Sequence, residues 1–254
     1  MMAQEQDIHN TIREKTSLPI PEIYVYDASH KIIDRNYLIM EYIPGKTLSE
    51  ITVSPEIQNH IYEHIGKYLR ELHDSCTAYN YGYLGKHHCM EPQKTWQDAF
   101  LIMWDNLIDD VSICNVYNSR EAFLVKGALD KFLPIFDRKV PSSLLHMDIW
   151  AQNIIIDTKG TITGIVDWDR ALWGDPEIEF AVLDYCGFNN PSFWKGYGKK
   201  PESSPEARIR TIFYHLYEVQ KYLVIYTLRR PQPQRVNQYK MYSLNLIDQL
   251  LRVN

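Results

Sequence analysis

The stretch "LLHMDIWAQNIIID", residues 144–157, places His146, Asp148 and Asn153 between two apolar runs with strand character. Polar side chains between buried strands cost free energy unless they are paired or used. The second run is followed by "DTKG" (157–160), a turn signal, and then by "ITGIVDW" (162–168). A strand–turn–strand hairpin brings the start of its first strand beside the end of its second. The spacing therefore predicts that Asn153 and Asp167 converge. An amide oxygen and a carboxylate are hard ligands that, with phosphate oxygens and water, suit Mg²⁺. Asp148 stands five residues before Asn153, near enough to take a proton from a hydroxyl beside such a metal. His146 can hold the loop by hydrogen bonds.

Outward from this segment the periodicity changes. In "SPEIQNHIYEHIGKYLRELHD" (54–74), Ile57, Ile61, Ile65, Leu69 and Leu72 recur at helical spacing, with Ser54 as N-cap and Pro55 in the first turn. Further helices are expected over 95–114 and 119–135, and helices dominate again from 177 onward. Before 54 the chain offers a short helix over 3–16, with Ile8 and Ile12 inward. "SLPIPEIYVYD" (17–27) enters a strand, and "NYLIMEYIPG" (36–45) is a second strand stopped by Pro44-Gly45. This order predicts an α+β protein with a small lobe and a mostly helical large lobe.

The composition, 45% hydrophobic and 23% charged over 254 residues, is that of a globular chain, and no apolar run approaches the roughly 20 residues of a membrane span. The polar start "MMAQEQDIHN" is not a secretory signal. Cys76, Cys89, Cys114 and Cys186 form no C-x-x-C pair and are expected to be reduced thiols of a cytoplasmic protein. "KHHC" (86–89) lacks a second ligand pair and is expected to be a loop. The net charge of −5 is uneven: residues 186–254 carry 11 Lys/Arg against 4 Asp/Glu. The Tyr- and Arg-bearing stretch 225–240 is not taken for a nucleic-acid surface, because the rest of the chain is acidic.

The order of these residues is similar to the catalytic machinery of protein-kinase-like phosphotransferases: a loop Asp, an Asn five residues later and a metal-binding Asp after a hairpin. More specifically, "HMDIWAQN" (146–153), "VDWD" (166–169) and "RALWGDPEIEFA" (170–181) resemble the aminoglycoside phosphotransferase family, whose loop is similar to "HGDLHPGN". The resemblance implies a protein-kinase-like two-lobed fold, with residues 1–43 as a truncated small N-lobe ending in the hinge and 44–254 as the helical C-lobe. It implies ATP and Mg²⁺ as cofactors and a small-molecule hydroxyl acceptor, with no nucleic-acid or membrane partner. It makes Asp148 the catalytic base, His146 the loop support, and Asn153 and Asp167 the metal ligands. "MEYI" becomes the hinge, with Met40, Glu41 and Ile43 facing adenine, and Glu5 the small-lobe glutamate that pairs with a phosphate-binding lysine. Asp175 and Glu179 would hold the loop, and Asp169 is expected beside the metal or paired with Arg170. Met147 stands where the family commonly has glycine, and Glu179 where it has aspartate. The family's Gly-rich hairpin and lysine strand have no counterpart before Glu5. Two expectations follow: weak phosphate cradling, and self-association through an exposed strand edge. A catalytically impaired nucleotide- or ligand-binding descendant and a metal-dependent phosphohydrolase stand as alternatives.

Overall fold

The computed structural model describes residues 2–84 and 90–253, with side chains from residue 4; the "KHHC" stretch lies outside the described residues. Contacts divide the chain into two compact units, one of residues 1–79, 83–91 and 141–201, the other of 80–82, 92–140 and 202–254.

The first unit opens with α1 (Met2–Lys15), acidic in its first turn and basic in its last, as the helix dipole favours. Its Ile8 and Ile12 are buried as their spacing predicted. Strands β1 (Ile23–Asp27) and β2 (Tyr37–Met40) pair antiparallel, with Val25 opposite Ile39 and an irregularity between Ile23 and Val25. β2 is shorter than "NYLIMEYIPG" suggested and ends before Glu41, whose N–H still reaches the Glu22 carbonyl at 2.8 Å. Gly45 has φ of 145° and lies against the backbone of Ile156: a Cβ there would stand 2.6 Å from the Ile156 carbonyl oxygen. This close approach lets β3 (Lys46–Thr47) join β7 (Ile154–Ile156) and β8 (Ile162–Ile165) in a three-stranded sheet.

Helix α2 (Pro55–Ser75) begins as its sequence predicted, with the Ser54 hydroxyl accepting from the Ile57 N–H. It buries Ile61, Ile65, Leu69 and Leu72 among α1 and hairpin residues such as Ile8, Ile12, Ile154, Ile165 and Trp168. After β4 (Thr77–Ala78), the chain passes through β5 (Gly82–Tyr83) into the second unit. That unit holds α3 (Trp96–Ile113) and α4 (Ser119–Phe132), and later α7 (Pro205–Val224) and α8 (Pro233–Leu251). Its core is aromatic: Phe100 stacks on Phe136 at 4.6 Å, and Trp96, Trp104, Phe213 and Tyr214 are buried beside them. In the first unit, after α4 and before α7 in the sequence, β6 (Ser142–Leu145) pairs with β4 and with β9 (Leu172–Gly174), and α5 (Pro176–Tyr185) and α6 (Pro191–Tyr197) complete the unit.

Helices α2 and α6 meet at two glycines. A Cβ on Gly66 would lie 2.2 Å from the Phe193 carbonyl oxygen, and one on Gly196 1.8 Å from the Glu63 carbonyl oxygen. Both obstacles are backbone, so no rotamer change relieves them. We expect Gly66→Ala to cost about 3 kcal/mol through overpacking and to lower Tm by roughly 6–12 °C. Thermal unfolding followed by circular dichroism checks this, and an unchanged Tm contradicts the crossing.

Candidate active site

The hairpin closes as its spacing predicted. Ile154 faces Ile165, and one step further the Val166 N–H donates to the Asn153 carbonyl at 3.0 Å. This last bond sets Asn153 beside the residue that precedes Asp167. Asp167 has φ of 69°, a left-handed conformation that Asp tolerates better than most residues and that turns the chain out of the strand.

The loop between β6 and β7 is held from three sides. His146 is fully buried, so it holds structure and does not meet substrate. One ring nitrogen, Nε2, bonds the Val166 carbonyl at 3.0 Å, and the other, Nδ1, accepts the Asp148 N–H at 3.2 Å. The ring lies 4.3 Å from that of Trp168. Burial pulls the His146 pKa below the ordinary histidine value, so the ring is neutral, with its proton on Nε2. Asn153 Nδ2 donates to the Asp148 carbonyl at 2.9 Å and to the Asp148 carboxylate at 3.0 Å. Its described bonds thus run through nitrogen, leaving Oδ1 as the atom offered to a cation. The other Asp148 oxygen receives Arg170 Nη1 at 2.8 Å.

Sequence reasoning expected Arg170 beside Asp169 and did not anticipate its bond to Asp148. Asp175 is buried and caps its own helix by accepting the Glu177 N–H at 3.0 Å. Glu179 meets its expectation: its Oε1 accepts the Met147 N–H at 2.7 Å, inside the loop. Its Oε2 pairs with His73 Nε2 at 2.7 Å, and His73 Nδ1 meets the Tyr197 hydroxyl at 2.9 Å. Gln4, also unforeseen, donates to the Asp169 carbonyl at 3.0 Å and ties α1 to the end of the hairpin.

Negative charge accumulates on the other side of the loop. Desolvation, then the charges of Asp169 and Asp148, push the Asp167 pKa up to about 6. Burial, then Asp167 and Asp169, push Glu5 up to about 7. Glu5 thus feels the charges of two carboxylates and forms no ion pair among the described residues. Such crowding is what a cation relieves. Among the described residues no three His, Cys, Asp or Glu side chains converge tightly enough to hold a metal. A donor set of Asn153 and Asp167 still fits Mg²⁺, which takes one or two protein ligands and completes its shell with phosphate and water.

The expected hinge follows β2. Met40 is 41% exposed, the Glu41 N–H is bound to Glu22, and Ile43 is half-buried over Gly164 of β8. No described helix is long and apolar enough to cross a membrane. Cys76, Cys114 and Cys186 form no disulfide among the described residues.

Comparison with known proteins bears on the family and the fold. The chain is 25% identical over 228 residues to a protein named probable ketoamine kinase from Vibrio parahaemolyticus, covering 85% of this chain and 71% of that one. It is 32% identical over 100 residues to the ketosamine-3-kinase of Mus musculus, covering 39% of this chain and 31% of the mouse protein. A probable acyl-CoA dehydrogenase of Arabidopsis thaliana matches at 24% over 72% of this chain, but the match spans only 22% of that protein. Among solved structures, a thermostable mutant of aminoglycoside phosphotransferase APH(4)-Ia, in a ternary complex with AMP-PNP and hygromycin B, superposes with a TM-score of 0.70. It is 17% identical, and the match covers all of this chain and 84% of that one. The fold is accordingly α+β and protein-kinase-like. The family model described as the phosphotransferase enzyme family matches residues 2–197, and the chain belongs to that family.

Proposed function

We propose that this protein transfers the γ-phosphoryl group of ATP to a hydroxyl of a small molecule. The observation that carries the reading is Asp148, fixed between Arg170 and Asn153 and next to the carboxylate cluster around Asp167. Asp148 accepts the proton of the acceptor hydroxyl as that oxygen attacks phosphorus. Arg170 and Asn153 keep its carboxylate in one rotamer, so little ordering is needed at the moment of reaction. Asn153 and Asp167 hold Mg²⁺, which when bound neutralises charge on the phosphates. Met40, Glu41 and Ile43 meet the adenine; because the Glu41 N–H is occupied, the Glu41 carbonyl and the Ile43 N–H make the contacts. In this reading residues 1–43 act as a small lobe and 44–254 as the large lobe, in a cytoplasmic protein.

The relatives named for ketoamines and the neighbour bound to hygromycin B define the first acceptors to test. Each is offered separately with ATP and Mg²⁺, and ADP release is measured alongside phosphorus NMR of the product. We expect ADP to form only with an acceptor, in step with a new phosphoester resonance. Phosphate released equally without acceptor would instead support the phosphohydrolase reading.

The small sheet gives a further expectation. Tyr24, Val25, Ile39, Met40 and Tyr42 are 40–82% exposed on and after its two strands. An apolar two-stranded sheet with open edges associates readily. We expect the mean mass in sedimentation to rise with concentration, and Val25→Lys with Ile39→Lys to restore a monomer. A concentration-independent monomeric mass in the unsubstituted protein contradicts this.

A further inference from the structure

Helix α2 carries two histidines one turn apart, His60 and His64, that the site around Asp148 does not use. Residues four positions apart share one face of a helix. The two rings stand 4.1 Å apart between centres, tilted by 54°. His60 is exposed and His64 half-buried. Ile61 and Ile65, the residues that follow each histidine, are fully buried, so packing fixes which way this face of the helix turns. The fold thus holds two imidazoles as neighbours whether or not anything binds them.

The hydrogen bonding of the pair is one-sided. His64 Nδ1 lies 2.9 Å from the His60 carbonyl oxygen. A carbonyl oxygen only accepts, so Nδ1 carries the proton and donates. In the neutral ring Nε2 then keeps its lone pair, and among the described residues it has no hydrogen-bond partner. The ring of His60 makes no hydrogen bond among them either. A histidine with Nδ1–H tied to a backbone carbonyl and Nε2 free has the arrangement of a metal ligand, because that bond fixes both tautomer and ring rotation. Neutral imidazole suits Zn²⁺, Cu²⁺ and Ni²⁺, whereas Mg²⁺ takes oxygen. The neighbouring charge does not oppose a cation: Lys67 is paired with Glu63 at 2.8 Å. Glu56, one turn before His60, has its carboxylate engaged by Ser54. Among the described residues no third His, Cys, Asp or Glu side chain joins the pair, so water completes the coordination shell.

We propose that His60 and His64 form a two-imidazole chelate for a divalent transition-metal ion on the exposed face of α2, a site built from different residues and a different ligand chemistry than the one for Mg²⁺ and ATP. Its signature is chelation. An ion held by one imidazole meets the second at high effective concentration, so the two act as a unit. Replacing either histidine removes most of the affinity, and replacing both removes little more.

The experiment titrates Zn²⁺ by calorimetry into the tag-free protein in millimolar Mg²⁺, which keeps oxygen-ligand sites filled. His87→Ala, His88→Ala and Cys89→Ser are carried throughout, since that stretch offers a second set of soft ligands. Expected are a single Zn²⁺ per chain and an affinity that falls about tenfold or more in His60→Ala and in His64→Ala alike, with the double variant within about twofold of either. Alanine favours an exposed helix position, so the variants fold, and circular dichroism checks this. Cu²⁺ gives a second readout that needs no affinity: the nitrogen hyperfine pattern in electron paramagnetic resonance shows two imidazole ligands in the parent and at most one in either single variant. Affinity within about twofold of the parent in either single variant, losses that add as two independent sites would, or Zn²⁺ displaced as Mg²⁺ is raised each overturns the proposal. None of these measurements requires turnover, so they decide the metal site whatever the outcome of the acceptor assays.

Discussion

Asp148→Asn is expected to lower kcat for phosphoryl transfer by about a thousandfold, within the range ascribed to a positioned general base, and to leave Mg²⁺-ATP affinity within a factor of two. The carboxylate has two partners in the free protein, Arg170 at 2.8 Å and Asn153 Nδ2 at 3.0 Å, and the Asp148 backbone N–H is held by His146. An amide can keep the Arg170 bond through its oxygen. Its nitrogen then faces Asn153 Nδ2, donor against donor, so one bond is lost at a cost of about 1–2 kcal/mol in stability. A Tm depression of a few degrees with unaltered nucleotide binding would thus accompany a loss of turnover far larger than misplacement explains. Isothermal titration for binding and single-turnover kinetics for chemistry separate the two. Turnover retained with only acceptor affinity lost would remove Asp148 from the role of base.

What the sequence disclosed and what it withheld have physical reasons. Helix α2 was legible to within a residue at either end, because Ser54 and Pro55 mark its start and apolar residues recur on one face. The hairpin that sets Ile154 opposite Ile165 and Asn153 beside Val166 was legible because a short turn leaves a hairpin little freedom of register. The bonds from Arg170 to Asp148 and from Met147 to Glu179 span 22 and 32 positions, and both depend on how the chain leaves regular structure. They pass close to Met147 and Asp167, whose positive φ no local propensity announces for these residue types. The His73–Tyr197 contact crosses 124 positions and needs α2 and α6 to approach at their glycines, which periodicity alone cannot predict. The family resemblance carried the roles proposed for Asp148, Asn153 and Asp167, and the structure supplied the hydrogen bonds around Asp148.

Asp167→Asn is expected to abolish the strengthening of ATP binding by Mg²⁺ without destabilising the free protein. Asparagine is the informative choice, since it tolerates the left-handed backbone at φ of 69° where alanine would add strain. It keeps an oxygen but removes the negative charge. In the free protein that charge is a liability: desolvation and the neighbours Asp169 and Asp148 hold the Asp167 pKa near 6, above its ordinary value of 3.8. A carboxyl whose folded pKa is raised binds its proton more tightly folded than unfolded. Its contribution to stability therefore declines as pH rises from about 4 through about 6, and the penalty is complete above that window. Glu5, raised to about 7 in part by the Asp167 charge, extends the decline upward. His146 and His9, both buried and lowered, act in the opposite direction near their ordinary value of 6.5, so the pH profile of the unsubstituted protein alone is ambiguous. The difference between the two proteins is not: Tm of Asp167→Asn relative to the unsubstituted protein rises between pH 4 and pH 7. Titration of ATP at pH 7.5 gives the second half of the result, with Mg²⁺ improving Kd at least tenfold in the unsubstituted protein and by less than twofold in the variant. A residue retained only to pack the hairpin would lower stability when replaced and leave the metal effect intact. A residue placed to receive a cation does the reverse, tolerating repulsion in the free state because the bound state cancels it.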